Sequence, residues 1–381
     1  MEDRRDIKVM IDEINMTSDV IKKNIDIFSK IIEEKKDLFT SKKFSKIYTV
    51  GCGDSYYAGL AAKYAFIENT GIQFEACEAL EFCRYEIDYM PENALVFVLS
   101  YSGSVARAIE AAYIAKRRGA TVIAITGNPL SRLAQISDNV IIYRIESLGF
   151  APGTISFTAA LIMLIVCSIK IGKYTNHILC EKDLFDKLNN IAHVVNQTIK
   201  LNDSLIKEVG EIYKDKSKFY IIGAGPNYSI TLFASAKLVE SGEIDGIPQE
   251  LEEWAHEQYF VSNEDTVTIV ISPKGRSFSR ARELIDEMNF INTGNILITT
   301  KQNESEKINS KYTFEIAGDI EESYSPIVTS VLVSMFAYYI SLANNKSSYN
   351  FKSPEQEEEH YNTIHCSSFS EELRDLNEHI K

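Results

Sequence analysis

Val50-Gly51-Cys52-Gly53-Asp54-Ser55-Tyr56 closes an apolar run, and Ile222-Gly223-Ala224-Gly225-Pro226-Asn227-Tyr228 closes another, 172 residues later. The run ending Leu99-Ser100-Tyr101-Ser102-Gly103 has its counterpart in Ile271-Ser272-Pro273-Lys274-Gly275, again at an offset of 172. Two independent landmarks at one spacing mark a duplicated unit of about 130 to 170 residues, an ordinary domain size. Only the first copy keeps a Ser-rich second turn, so the two copies are expected to divide one task.

Around these turns, short apolar runs alternate with helical periods. In the first repeat the pattern predicts strands over 46–50, 72–76, 94–99, 121–126 and 140–143, and helices over 55–69, 105–118 and 156–171. The second repeat follows with strands over 219–222, 267–271, 296–300 and 313–316, and helices over 227–241, 277–289 and 326–343. Residues 7–40 read as one or two amphipathic helices and 183–213 as linking helices. The expected boundaries are N-terminal helices 1–40, a first domain 41–172, a linker 173–213, a second domain 214–345 and a tail 346–381. Buried strands separated by helices place the chain in the α/β class, each domain a parallel sheet covered on both faces. Such sheets bind ligands at the C-terminal ends of their strands, so the turns after Val50, Leu99, Ile222 and Ile271 are the expected places for chemistry.

Composition narrows the partners. The chain has 381 residues and a net charge of -14, which argues against nucleic acid or an anionic membrane. Part of the charge lies in Glu355, Glu357, Glu358 and Glu359, read as a solvated helix face. None of the six cysteines is paired as Cys-x-x-Cys; Cys77, Cys83, Cys167 and Cys180 read as core fillers. The opening Met1-Glu2-Asp3-Arg4-Arg5-Asp6 is followed by no apolar region, so no secretory signal is expected. The most apolar windows, 157–169 and 328–342, fall short of the roughly 20 residues of a bilayer span and read as buried helices. A soluble, cytoplasmic protein is expected.

The turn Ser100-Tyr101-Ser102-Gly103-Ser104 joins a strand to a helix. A helix start offers unpaired N–H groups and partial positive charge, hydroxyls add donors, and Gly103 permits close approach of an anion. This is a cradle for a phosphate, although a serine N-cap in a tight turn would read the same way. Ser55, at the matching start of the preceding helix, favours phosphate. Gly51-Cys52-Gly53 lacks the third glycine of a dinucleotide fingerprint, because Tyr56 stands there, and Tyr228 does so in the second repeat. Lys237 and Glu240, three apart, share one helix face and would ordinarily be a solvated pair. Glu250 to Glu257 gathers acids, the single tryptophan Trp254 and His256. His360 and His365 are five apart and zinc spacings are absent, so no metal is expected.

These residues resemble the double sugar-isomerase (SIS) domain family, specifically the isomerase half of glutamine–fructose-6-phosphate aminotransferase. The likeness covers roughly residues 45–345. Gly51-Cys52-Gly53-Asp54-Ser55-Tyr56 stands for the family's Gly/Ala-Cys-Gly-Thr-Ser-Tyr turn, and Ser100-Tyr101-Ser102-Gly103 for its Ser-Gln-Ser-Gly phosphate loop. Gly223 to Glu240 runs without gaps along its Gly-x-Gly-x-Asn-Tyr to Lys-Leu-Lys-Glu segment, and the spacing from Glu240 to His256 is the family's spacing between catalytic glutamate and histidine.

The resemblance implies flavodoxin-like three-layer domains, and roles at matched positions. Ser55, Ser100, Ser102 and the backbone from Gly103 to Val105 would hold a sugar 6-phosphate, with Cys52, Gly53, Asp54 and Tyr101 in the same turns. Ala151, Gly153, Thr154 and Glu253 would also line the ligand. Glu240 would shuttle a proton between C1 and C2, Lys237 would orient it and stabilise charge on sugar oxygens, and His256 would assist ring opening from a second subunit. A homodimer acting on a phosphorylated sugar or amino sugar follows.

The chain also departs from the family. The glutaminase domain is missing, so glutamine hydrolysis is not expected. The Ala-Ser-Thr-Lys turn reads Ala151-Pro152-Gly153-Thr154-Ile155, with Ile155 for lysine. The C-terminal lysine has only Lys352 as a candidate substitute. Asp54 and Val105 each replace a threonine. The expected reaction is aldose–ketose isomerisation coupled to gain or loss of an amine, with no cofactor because proton transfer through an enediol uses only side chains. A sugar-amine deglycase and a non-catalytic phosphosugar-binding regulator are the alternatives. Ser272 to Ser277 reads as an exposed relic of a phosphate loop with two cations, able to bind an anion of its own.

Overall fold

A computed structural model describes residues 7–365 except 179, 217, 304 and 306. The chain divides into two compact units. One comprises Asn24–Glu146, Ala159–Leu184 and the segment from Phe351; the other comprises the chain up to Lys23, Ser147–Thr158 and Phe185–Asn350. We call them the first-repeat and second-repeat units.

The chain opens with helices α1 (Lys8–Glu34) and α2 (Lys36–Thr40). The first repeat then runs β1 (Lys46–Gly51), α3 (Asp54–Thr70), β2 (Gln73–Glu78), α4 (Ala79–Arg84), β3 (Leu95–Leu99), α5 (Ala106–Arg117), β4 (Thr121–Thr126), α6 (Arg132–Ile136), β5 (Asn139–Ile142) and α7 (Ile155–Tyr174). Its five strands are all parallel in the order β2-β1-β3-β4-β5. β3 is buried along its whole length because it has a strand on either side and helices on both faces. Tyr48, Val50, Val96 and Val98 pack there against Ile109 and Ala112 of α5.

A single 33-residue helix, α8 (Glu181–Tyr213), occupies the stretch expected to hold several linking helices. Apolar positions at helical spacing carry it through without a proline, and Gly210 falls only in its last turn. The second repeat runs β6 (Lys218–Gly223), α9 (Tyr228–Gly242), β7 (Gly246–Glu250), α10 (Glu253–His256), β8 (Thr266–Ile271), α11 (Phe278–Phe290), β9 (Gly294–Thr300), β10 (Tyr312–Ile316) and α12 (Pro326–Ala343). Read from β7, its parallel order β7-β6-β8-β9-β10 is that of the first sheet. Strand β7 escaped the sequence pattern because it carries Pro248 and lacks apolar alternation. An edge strand tolerates both, since one side of its backbone has no ladder to complete.

Helices α7 and α12 are 20 and 18 residues long, longer than the apolar windows of the sequence and long enough by composition to cross a bilayer. They are nonetheless 94% and 83% buried over their most apolar windows, as core helices are. Cys77, Cys83 and Cys167 are buried as expected, whereas Cys180 is exposed just before α8. The acidic tail forms an exposed helix, α13 (Pro354–Glu359).

Candidate functional site

Strand order in the first sheet reverses between β1 and β3, the position where open α/β sheets part to form a crevice. The loops entering α3 and α5 leave from these two strands. Helix α5 has Val105 at its N-cap, which makes no side-chain cap, and no acid in its first turn. The amides of Ala106 to Ala108 therefore have no intrahelical acceptor, which suits an anion. Helix α3 differs, because Asp54 already places a carboxylate in its first turn. Of the two helix starts, that of α5 suits an anion better.

The turn before α5 is shaped from within. Ser100 is buried, and its Oγ accepts from the Gly103 N–H at 3.1 Å. Gly103 has φ 64, and a Cβ there would lie 2.2 Å from Ser131 Oγ, so only glycine fits. Ser102 and Ser104 bring their hydroxyls 2.9 Å apart at the partly exposed mouth. Tyr101 packs edge-on against Tyr143 with ring centres 5.4 Å apart. Ser55 is half-buried at the start of α3. Gly53 precedes that helix at φ 53, and Cys52 donates its thiol to Glu78 Oε1 at 3.2 Å. Burial first, then the Glu78 charge, pushes the Cys52 thiol up to about 12, so it stays protonated near neutral pH.

The matching turn of the second repeat is filled by the protein itself. The Arg276 N–H donates to both carboxylate oxygens of Glu322 at 3.2 Å. A Cβ on Gly275 would meet that carboxylate at 2.4 Å, and Ser272 Oγ is buried with no hydrogen-bond partner among the described residues. Residues 274–276 are exposed, as expected of a turn, but an internal carboxylate lies where an anion would approach.

Lys237 and Glu240 lie in the last two turns of α9. Lys237 is fully buried, its Nζ 2.6 Å from Glu240 Oε2 and 5.0 Å from the centre of the Phe233 ring. The Glu240 side chain keeps 27% of its surface. This is not the solvated pair that helix spacing alone suggests. A buried ammonium costs several kcal/mol unless charged and polar groups compensate it. The pair also sits at the end of α9 farthest from the turn that follows β6, so the strand-end rule does not locate it.

Three further segments of the second-repeat unit are linked in a chain of contacts that starts at Glu240. Tyr349, in the left-handed region at φ 49, donates its N–H to the Glu240 carbonyl at 2.8 Å and its hydroxyl to Oε2 at 3.4 Å. Lys346 and Asn350 each reach Glu243 at 2.5 Å, and these hydrogen bonds hold that carboxyl below its ordinary value of 4.5. Phe150 packs on Tyr349 with ring centres 4.9 Å apart. The loop carrying Phe150, Ala151 and Gly153 hangs from Glu13 of α1. Buried, that carboxylate accepts from Ser147 Oγ at 2.7 Å, the Leu148 N–H at 3.0 Å and Thr154 Oγ1 at 3.4 Å. Ile155, where the family has lysine, is buried.

Glu13 and Tyr349 were not among the residues expected from sequence. Glu13 carried a signal, an acid on the apolar stripe of Met10 and Ile14. Tyr349 carried none, lying in a stretch without periodicity.

His256 and Glu253 are exposed on α10, with His256 at 65%. His256 Nε2 lies 3.6 Å from Glu252, which Arg280 grips with two nitrogens at 2.6 and 2.9 Å. Glu240 precedes β7 and His256 follows it, so a five-residue strand, roughly 15 Å, separates the two within one chain. Lys352 is exposed, its N–H bonded to Gln356. Among the described residues no group of three or more His, Cys, Asp or Glu is placed to hold a metal.

The sequence profile of the SIS domain matches residues 38–168 and 211–343. The chain is 28% identical over 307 residues to glutamine–fructose-6-phosphate aminotransferase (isomerizing) of Thermotoga maritima, covering 79% of this chain and 49% of that protein. It thus spans about half the length of the curated relatives it matches. The C-terminal domain of glucosamine-fructose-6-phosphate aminotransferase from Francisella tularensis superposes with a TM-score of 0.81 at 21% identity, covering 89% of this chain and 97% of that one. A glucosamine-6-phosphate deaminase from Thermotoga maritima superposes at 0.66 with 19% identity, covering 87% and 95%. The structural likenesses establish the fold.

Proposed function

The chain belongs to the SIS domain family, and from that premise we propose that it is an enzyme of phosphorylated sugars or amino sugars. The α5 cradle with Ser100, Ser102 and the Gly103–Val105 backbone binds the phosphate, and Glu240 performs the proton transfer. The observation that carries this reading is the buried Lys237 beside a Glu240 that keeps partial access to solvent.

In this mechanism the Glu240 carboxylate removes the proton on the carbon next to the sugar's carbonyl or imine. The electron pair forms the C1–C2 double bond, and the former carbonyl oxygen or imine nitrogen gains a proton. Lys237 stabilises the negative charge that builds on oxygen. Glu240 then returns its proton to the former carbonyl carbon. The hydroxyl on the deprotonated carbon gives up its proton to become the new carbonyl, replacing the proton gained at the first oxygen or nitrogen. Where an amine is gained, ammonia adds to the carbonyl and water leaves; where it is lost, water hydrolyses the imine and ammonia leaves. Side chains suffice for each transfer. His256, exposed on its own chain, serves the active site of a second copy, so the working form is a homodimer. The altered turn at 151–155, with Ile155 in place of lysine, permits a second reading, cleavage of a sugar–amine adduct.

A panel of hexose and hexosamine 6-phosphates, followed by ammonia detection and solvent deuterium exchange, tests the reading. Glu240→Gln is expected to abolish exchange into the sugar while leaving affinity for inorganic phosphate within about twofold, because a neutral amide accepts no proton. Unchanged exchange in that variant rejects the role of Glu240. Ligand-induced thermal shifts without any product identify a binding regulator instead.

A further inference from the structure

We propose that Tyr349 is a positioning residue for Glu240, fixing which carboxylate oxygen is presented for proton transfer. The role of Glu240 in this inference rests on the proposed function.

A glutamate carboxyl turns readily about its last side-chain bond, where the torsional profile is broad and roughly two-fold. One donor leaves that rotation loosely governed, since either oxygen can take the bond. Here two donors from different directions, Lys237 Nζ at 2.6 Å and Tyr349 Oη at 3.4 Å, both reach Oε2. Among the described residues no hydrogen bond reaches Oε1. The two oxygens are thereby made unequal: Oε2 is anchored and Oε1 keeps its lone pairs for a substrate proton.

The tail backbone is built to deliver that hydroxyl. Tyr349 adopts φ 49, a conformation bulky residues avoid, and such strain persists where surrounding contacts over-determine it. Those contacts are present. Lys346 and Asn350 clamp Glu243, the residue that caps the end of α9 three positions after Glu240. The Tyr349 N–H holds the Glu240 carbonyl, and its ring leans on Phe150. The phenol thus meets the carboxylate from the tail, while Lys237 meets it from within the helix.

Tyr349→Phe deletes the hydroxyl but keeps the ring contact and the backbone bond. In the 381-residue chain, kcat for deuterium exchange into fructose 6-phosphate or glucosamine 6-phosphate is expected to fall about tenfold, with KM within about twofold, as for a misplaced catalytic group. Carbon-13 NMR of carboxyl-labelled glutamate supplies a readout independent of turnover, the Glu240 resonance being assigned by its loss in Glu240→Gln. That resonance is expected to move in Tyr349→Phe. An unmoved resonance, or wild-type exchange kinetics in Tyr349→Phe, overturns the proposal. A moved resonance in a protein that exchanges no sugar of the panel upholds the positioning role and rejects the catalytic reading of Glu240.

Discussion

Lys237 is where local statistics and the folded chain disagree most. Three-residue spacing to Glu240 describes a surface pair, yet the ammonium is fully buried beside Phe233. Helical periodicity says which residues share a face; it does not say what packs on that face. Ser100 and Gly103 are the opposite case, because the succession of strand, tight turn and helix start around them is legible over a few residues. For Lys237→Met we expect exchange into a hexosamine 6-phosphate to fall by about a hundredfold, since transition-state charge loses its counter-ion, with inorganic phosphate affinity unchanged. Equal rates for variant and wild type would return Lys237 to a structural role.

Among the elements, the entry turns of α5 and α11 show how one duplicated device diverged. Both follow the third strand of their sheet in sequence, yet α5 begins without a side-chain cap and α11 begins against Glu322. The carboxylate accepts from a backbone amide where a phosphate oxygen would, so the second turn is satisfied internally. Glu322→Ala is expected to raise the inorganic phosphate stoichiometry from one to two per chain in calorimetry, the added site weaker by about tenfold for want of hydroxyls. A stoichiometry still at one shows the turn cannot hold phosphate even when vacated. Chain order gave no hint of this, because Glu322 lies 46 residues from the Arg276 amide it occupies. Strand β7 was hidden for a related reason: its place at a sheet edge depends on β6, not on its own residues.

At the scale of the molecule, the duplication accounts for the two equivalent sheets and for the unequal use of their loops. On the proposed reading, the strand β7 between Glu240 and His256 calls for the histidine of a second copy at each site. Co-expressing Glu240→Gln with His256→Ala is expected to restore activity absent from either variant alone, since a mixed dimer regains one intact site. Lack of complementation, with dimers present by light scattering, would reject a shared site.

The repeat, most of the strands and helices and the turn before α5 were legible in the linear chain, because strand burial, helical period and turn chemistry act over a few residues. The burial of Lys237, the carboxylate in the second turn, and the chain of contacts from Glu240 through Tyr349 and Phe150 to the loop held by Glu13 arose only on folding. Each joins segments dozens to hundreds of residues apart, and long-range packing, unlike local propensity, leaves no period to read.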